Sequence, residues 1–376
     1  MTLSTSERAR YQRHLALIEI GAAGQEKLKA ARVLVIGAGG LGSPAALYLA
    51  AAGCGTLGLV DCDRVELSNL QRQVLFDTAG VTRSKAEAGR ERLASLNPEI
   101  QVVAHAVELK AGNAPELLAQ YDLVLDGTDR LSTRYLINDA CVILGLPLVS
   151  AAIHRFEGQV MTYVPGRGPC YRCVFPQAPD GVVGNCAEAG VLGVLPGVLG
   201  TLQATEAIKL ITGVGEPLTG RLLTYDALEM RFHEFRVARR LDCAVCGSAP
   251  TITELRDPPP LSAGGASGAV HRLSATALYE LLRDVHGAAP HLVDVREVYE
   301  FSTGHLAGSV NIPLGELPRR LAEIAPHSAP VFICRSGSRS LAACQMALAA
   351  GVSAPANLEG GLLAWAAAID PALPVA

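Results

Sequence analysis

The chain has 376 residues, 49% of them apolar and 18% charged, which is length for two or three domains and composition for a large buried core. Its formal net charge of −4 gives no reason to expect nucleic acid as a partner. No run of about 18 apolar residues stands clear of charge and glycine, the opening MTLSTSERARYQRHLAL lacks a signal-peptide core, and the ten cysteines are unevenly spaced; no membrane partner and a reducing, cytoplasmic location are expected.

Residues 1–30 read as polar and amphipathic, with Arg8, Arg10 and Arg13 on what physics alone makes a solvated helix. The organising stretch is Arg32–Asp63. Val33–Ile36 is a β-branched run suited to a buried parallel strand, and Gly37, Gly39, Gly40 and Gly42 follow it. Ser43-Pro44 predicts an N-cap and first helical position before Ala45–Ala52. A second apolar run, Thr56–Val60, ends on Asp61. Glycines let backbone amides approach a phosphate, the helix N-terminus adds partial positive charge, and the acid can accept from a ribose. This predicts a nucleotide site. Spacing alone leaves NAD, FAD and ATP open.

Asp63–Gln73 is too polar for a strand and reads as a loop into a helix, and Thr82–Ala94 as a helix ended by Asn97-Pro98. Tyr121–Asp126 predicts a buried strand, which puts Asp129 at its carboxyl end, near the phosphates. Leu146–Ala152 is a further strand and Glu157–Val164 a more exposed one. Strands alternating with helices predict a doubly wound α/β domain.

Cys170-x-x-Cys173 and Cys243-x-x-Cys246 each sit beside turn formers, and two such pairs predict a closed, structural tetrathiolate zinc site. Between them Pro179–Gly200 is rich in glycine and reads as a mobile functional loop carrying Cys186, whose role the spacing leaves open. From Thr251 a proline- and glycine-rich stretch reads as a linker. Beyond it, His291–Val295 and Val331–Cys334 predict buried strands of a small second domain. The latter runs into Arg335-Ser-Gly-Ser-Arg339 and a helix, Leu341–Ala350. A cysteine there faces backbone amides, a helix dipole and two arginines, all of which favour a thiolate or persulfide anion. Cys344 reads as core.

These motifs carry a resemblance. RYQRH, GAGGLGSP, LVDCDRVELSNLQRQ, TRSKAEA, DGTD, PCYRC, NCAEAGVLG and CAVC make residues 1–250 similar to the MoeB/ThiF family, relatives of ubiquitin-activating enzymes with a Rossmann-like fold. LVDVREVYEFSTGHLAGSVNIP and CRSGSRS make residues 270–376 resemble a rhodanese-like α/β domain, with 251–269 between them. The order of the two is that of MoeZ-type adenylyltransferase/sulfurtransferases. The resemblance implies activation, with ATP and Mg²⁺, of the C-terminal glycine of a ubiquitin-like sulfur carrier ending in Gly-Gly. Sulfur from a cysteine persulfide, supplied by thiosulfate or a cysteine desulfurase, would then give a thiocarboxylate.

It further implies that Gly39 and Gly40 line the ATP loop, that Asp61 holds the ribose, that Asn69, Arg72 and Lys85 contact phosphates, and that Asp129 binds magnesium. Arg13 would reach into a partner subunit's ATP site in a homodimer. Cys334 would bear the persulfide, Arg335 and Arg339 would hold its anion, and Cys186 is a second covalent candidate. The loop Cys-x4-Arg is one residue shorter than the phosphate-binding Cys-x5-Arg loop, which favours a sulfane-sulfur substrate. Asp294 and His305 are expected to be structural. By the glycine fingerprint alone, an NAD-dependent oxidoreductase with a partner-docking tail is the alternative.

Overall fold

A computed structural model describes residues 2–176, 190–257, 270–283, 290–324 and 329–375. Cys186 and residues 258–269, most of the expected linker, therefore lie outside the described residues. The chain divides into two compact units, one built from the described residues up to 257 and the other from those beyond 270.

In the first unit the described strands are β1 (Arg32–Ile36), β2 (Thr56–Val60), β3 (Gln101–His105), β4 (Leu123–Asp126), β5 (Leu148–His154), β6 (Glu157–Tyr163), β7 (Arg221–Asp226) and β8 (Arg231–Arg236). They form one sheet in the order β3-β2-β1-β4-β5-β6-β7-β8. Neighbours from β3 to β5 are parallel and the last three strands antiparallel. The chain reverses direction across the sheet between β1 and β4, where Ile36 pairs with Asp126. A doubly wound sheet opens its ligand crevice at the carboxyl side of that switch point. One layer of core joins the helices Gly42–Ala52 and Leu195–Thr212 to one face through Leu49, Leu195, Leu199 and Ala207. The other face carries Ile137, Ala140 and Cys141 of the helix Leu131–Leu144, and the two CxxC pairs.

The local signals hold with specific differences. The helix after β1 starts at Gly42 with Leu41 as its cap, so Ser43 lies inside its first turn and not at the N-cap. Its amide already reaches Gly39 O (2.9 Å) and its hydroxyl donates to Ala38 O (3.1 Å). The polar stretch Asp63–Gln73 contains only the 3-10 turn Leu67–Asn69. β6, expected to be more exposed, is buried over most of its length. It lies between β5 and β7, and Leu199 packs over Gly158. The end of the glycine-rich loop, from Leu195, is already helix. At the other end of the unit, Ile252 and Leu255 pack on the core and Ile252 N donates to Ala244 O (2.8 Å), so the first residues past 250 belong to this unit. No helix among the described residues is long and apolar enough to cross a membrane.

The second unit is a parallel sheet in the order β11-β10-β12-β13-β9, with β9 (His271–Leu273), β10 (Leu292–Asp294), β11 (Val310–Asn311), β12 (Val331–Ile333) and β13 (Ala356–Leu358). Its central strands β10, β12 and β13 are buried throughout, whereas the edge strands β9 and β11 are partly exposed. Asp294 and Arg296, both without exposure, pair at the end of β10 (2.8 Å), and Arg296 also donates to Gly304 O (2.6 Å). His305 is exposed, with its ring stacked on Phe301.

Gly42 is the tightest packing constraint of the nucleotide loop: a β-carbon there would run into Gly37 O. Gly42→Ala is expected to cost about 2–3 kcal/mol, read as a lower denaturant midpoint for the first unit's transition.

Candidate functional site

Three groups of sequence-selected residues come together, each within one unit. The first surrounds the loop after β1. Gly37 N donates to Val60 O (2.8 Å) and Gly127 N to Ile36 O (2.8 Å), tying the ends of β1, β2 and β4 together. Gly37 has φ +88°, and a β-carbon on it would lie 2.9 Å from Gly127 O. Asp61 accepts from Ala38 N (2.9 Å) through one oxygen and from Asp63 N (2.9 Å) through the other. The acid at the end of β2 thus fixes the glycine loop itself. Burial pushes its carboxyl above the ordinary value, against the opposing pull of the Lys85 charge and the two amides.

Opposite the loop stands the Leu67–Gln73 turn. A β-carbon on Gly40 would lie 3.1 Å from Pro196 and 3.6 Å from Arg72 Cγ, so the loop passes closely between them. Arg72 donates to Ser68 O (3.2 Å), and Gln73 Nε2 donates to Asn69 Oδ1 (2.7 Å). Lys85 is buried at the start of its helix and reaches Asp63 Oδ2 (3.1 Å). Beyond β4, Asp126 is fully buried and accepts from Thr128 N (3.0 Å), Thr128 Oγ1 (2.7 Å), Arg134 Nε (3.0 Å) and Ser150 Oγ (3.0 Å). Arg134 also donates to Thr128 O (2.7 Å). This network shapes the turn that carries the exposed Asp129. The glycine loop and the N-terminus of the helix Gly42–Ala52 thus lie near Arg72 and Lys85, with the exposed Asp129 carried on the turn after β4. This arrangement suits a polyphosphate. Arg13, in the short helix Gln12–Leu15, is exposed.

The second group is Cys170, Cys173, Cys243 and Cys246, all buried, with sulfurs within 4.8 Å of one another. Neighbouring pairs lie 3.4, 3.6 and 3.9 Å apart. Four thiolates at the usual zinc–sulfur distance span tetrahedral edges of about 3.8 Å, so the set fits zinc without rearrangement. Burial raises Cys170, and raises Cys246 to about 11, so thiolates gathered here call for a cation. The turn Cys243–Gly247 needs its glycine: a β-carbon would meet Cys243 O at 2.5 Å and Leu241 O at 2.6 Å.

The third group is in the second unit. Cys334 follows β12 at the carboxyl edge of the sheet, beside the switch from β10 to β12. Its sulfur accepts from Gly337 N (3.1 Å) and Ser340 Oγ (3.2 Å). Gly337 has φ +91° and caps the helix Ser338–Ala349. Leu362 N and Leu363 N hold the carbonyls of Cys334 (2.9 Å) and Arg335 (3.0 Å), clamping the loop from below. Arg335 is half-buried. Both terminal nitrogens of Arg339 bind Glu300, at 2.7 and 2.8 Å, in a buried pair. Among the described residues the donors given to the sulfur are an amide and a hydroxyl.

Ser340, Glu300, Asp126, Arg134 and Gln73 received no role from the sequence. Ser340 and Gln73 stood one residue beyond assigned positions. The buried ion pairs join residues 8 and 39 positions apart, which no local pattern reveals.

The ThiF family model matches residues 11–245 and the rhodanese-like domain model residues 274–368. The adenylyltransferase and sulfurtransferase MOCS3 of Aedes aegypti is 42% identical over 392 aligned residues, 99% of this chain and 90% of MOCS3. The probable adenylyltransferase/sulfurtransferase MoeZ of Mycobacterium tuberculosis is 44% identical over 379, 98% of this chain and 95% of MoeZ. Among solved structures, E. coli MccB with ATP superposes with TM-score 0.56 and 26% identity, covering 65% of this chain and 75% of MccB. These relatives do not favour the oxidoreductase alternative. The chain belongs to the ThiF family, and is an adenylyltransferase and sulfurtransferase whose C-terminal part is a rhodanese-like domain.

Proposed function

We propose that residues 1–250 adenylate the C-terminal glycine of a ubiquitin-like sulfur carrier ending in Gly-Gly. Residues 270–376, joined through 251–269, then supply sulfur from a Cys334 persulfide to make a thiocarboxylate. The observation that carries this reading is the gathering of Arg72 beside Gly40, and of Lys85 through its pair with Asp63, around Asp61, which holds both the Ala38 amide (2.9 Å) and the Asp63 amide (2.9 Å). MccB, a structural relative, is known with ATP bound.

In this reading Gly39 and Gly40 admit the triphosphate, Asp61 takes the ribose with its remaining lone pairs, and Asn69 faces the phosphates. The carrier's carboxylate is ionised at neutral pH and needs no general base. It forms an O–P bond at the α-phosphorus as the bond to the departing pyrophosphate breaks. Arg72 and Lys85 hold the charge that develops there, with Arg13 supplied by the second subunit of a homodimer. Leu17 and Ile18, exposed by 49% and 96% beside Arg13, support a second copy covering that segment. Asp129 would hold Mg²⁺, which supplies charge neutralisation on the phosphates. The four cysteines would hold zinc as a structural staple.

Next, the outer sulfur of the persulfide attacks the acyl carbon and AMP leaves. The thiolate of Cys186, the candidate, then attacks the Cys334 sulfur of the remaining S–S bond; a Cys186–Cys334 disulfide forms as the thiocarboxylate leaves with the electron pair, and an external dithiol reductant returns both thiols. The Gly337 amide, the Ser340 hydroxyl and Arg335 would hold the Cys334 anion, with Arg339 acting through its pair with Glu300. Thiosulfate or a cysteine desulfurase is the donor proposed, in the cytoplasm.

Three outcomes are expected. Lys85→Ala and Arg72→Ala each reduce carrier-dependent ATP–pyrophosphate exchange by about 100-fold or more. Cys334→Ala abolishes thiocyanate formation from thiosulfate and cyanide; survival of that activity would refute its role. Metal analysis finds one zinc per chain in the native protein. Cys243→Ser loses it and lowers the first unit's thermal midpoint.

A further inference from the structure

The Cys334 loop contains two arginines, but they are not equivalent. Arg339 is buried and spends both terminal nitrogens on Glu300, which lies in the helix Val298–Thr303 and is itself buried. Glu300 makes no hydrogen bond to the Cys334 sulfur among the described residues; its carboxylate also accepts from Glu297 N (3.0 Å). Arg335 is half-buried and has no carboxylate partner among the described residues. The sulfur itself meets two uncharged donors, Gly337 N and Ser340 Oγ. Ser340, which donates to the sulfur, directly follows Arg339, so both stand in the first turn of the helix Ser338–Ala349. In such a buried setting, pairing or unpairing one unit charge changes the potential at the loop far more than it would in water.

We propose that Glu300 is a specificity-determining residue of the Cys334 loop: by holding Arg339 in a neutral pair it leaves the loop one effective positive charge, Arg335, and so favours singly charged sulfur donors over doubly charged ones. This rests on Cys334 as the persulfide bearer. Loading is a transfer of neutral sulfur. The Cys334 thiolate forms an S–S bond to the outer sulfur of the donor, and the donor's own bond to that sulfur breaks. The leaving group takes the electron pair, as sulfite from thiosulfate or as a sulfinate from a thiosulfonate. An acceptor nucleophile such as cyanide then takes the outer sulfur and returns the thiolate. The two donors differ in charge and in leaving group; the leaving-group difference is common to every variant, so the change in their ratio between variants reports the charge.

The test uses the full chain with cyanide as acceptor, and thiosulfate (a dianion) or methanethiosulfonate (a monoanion) as donor. Glu300→Gln releases a positive charge at the loop. The thiosulfate-to-methanethiosulfonate ratio of kcat/KM is expected to rise about three- to tenfold, mainly through the thiosulfate KM. Arg339→Gln leaves Glu300 unpaired, and the ratio is expected to fall by a similar factor. The double variant restores neutrality and should return the ratio to within about twofold of the starting protein. Because both donors are compared on the same preparation, partial unfolding cancels. Single variants that leave the ratio within about twofold, or that both move it the same way, overturn the proposal while leaving Cys334 as the persulfide bearer. Absence of transfer from either donor by the unaltered protein overturns both together.

Discussion

A carboxylate taken out of water at the end of a central strand is the constraint on which the nucleotide cleft depends. Asp126 has no exposure and satisfies its oxygens with Thr128, Arg134 and Ser150. Removing one partner of such a pair leaves an uncompensated buried charge and costs about 3–5 kcal/mol. Its geometry is therefore stiff, and it dictates the course of Gly127–Asp129. Gly127 in turn presses against Gly37, and Gly42 closes on Gly37 O, so the strand-end network and the glycine loop form one packed unit. Asp61 completes it from the neighbouring strand by holding the Ala38 amide.

The second unit repeats the logic on a smaller sheet. Asp294 and Arg296 close the end of β10 without exposure, and Cys334 follows the adjacent β12. The two sites then diverge in charge. The nucleotide cleft keeps Arg72 and Lys85 facing partners that are exposed or only backbone, which leaves positive potential for a polyanion. Around Cys334 one of two arginines is already neutralised by Glu300. On the function proposed, a loop that holds a persulfide monoanion needs less positive potential than a site that holds a triphosphate.

Much of this was legible in the residues. Glycines at 37, 39, 40 and 42 after a β-branched run, acids at strand ends, and paired CxxC motifs each carry a local geometric requirement that few folds meet otherwise. What was not legible depends on contacts far apart in sequence. β6 read as exposed because its alternation is polar, yet β7 and the helix Leu195–Thr212 cover it. Ser43 looked like a cap because serine before proline usually is one. The turn at Gly39 had already started the helix. The charge of Arg339 is visible in the loop sequence, whereas its partner Glu300, 39 residues earlier, is not.

The central claim joins two chemistries on one substrate, and the most direct measurement is the intact mass of a small ubiquitin-like carrier ending in Gly-Gly. It would be incubated with the full chain, Mg-ATP and thiosulfate. The account predicts a mass gain equal to one sulfur replacing one oxygen, dependent on ATP. ATP consumption with an unchanged carrier mass would contradict the sulfur-transfer half, and no carrier-dependent ATP consumption would contradict the account at its centre.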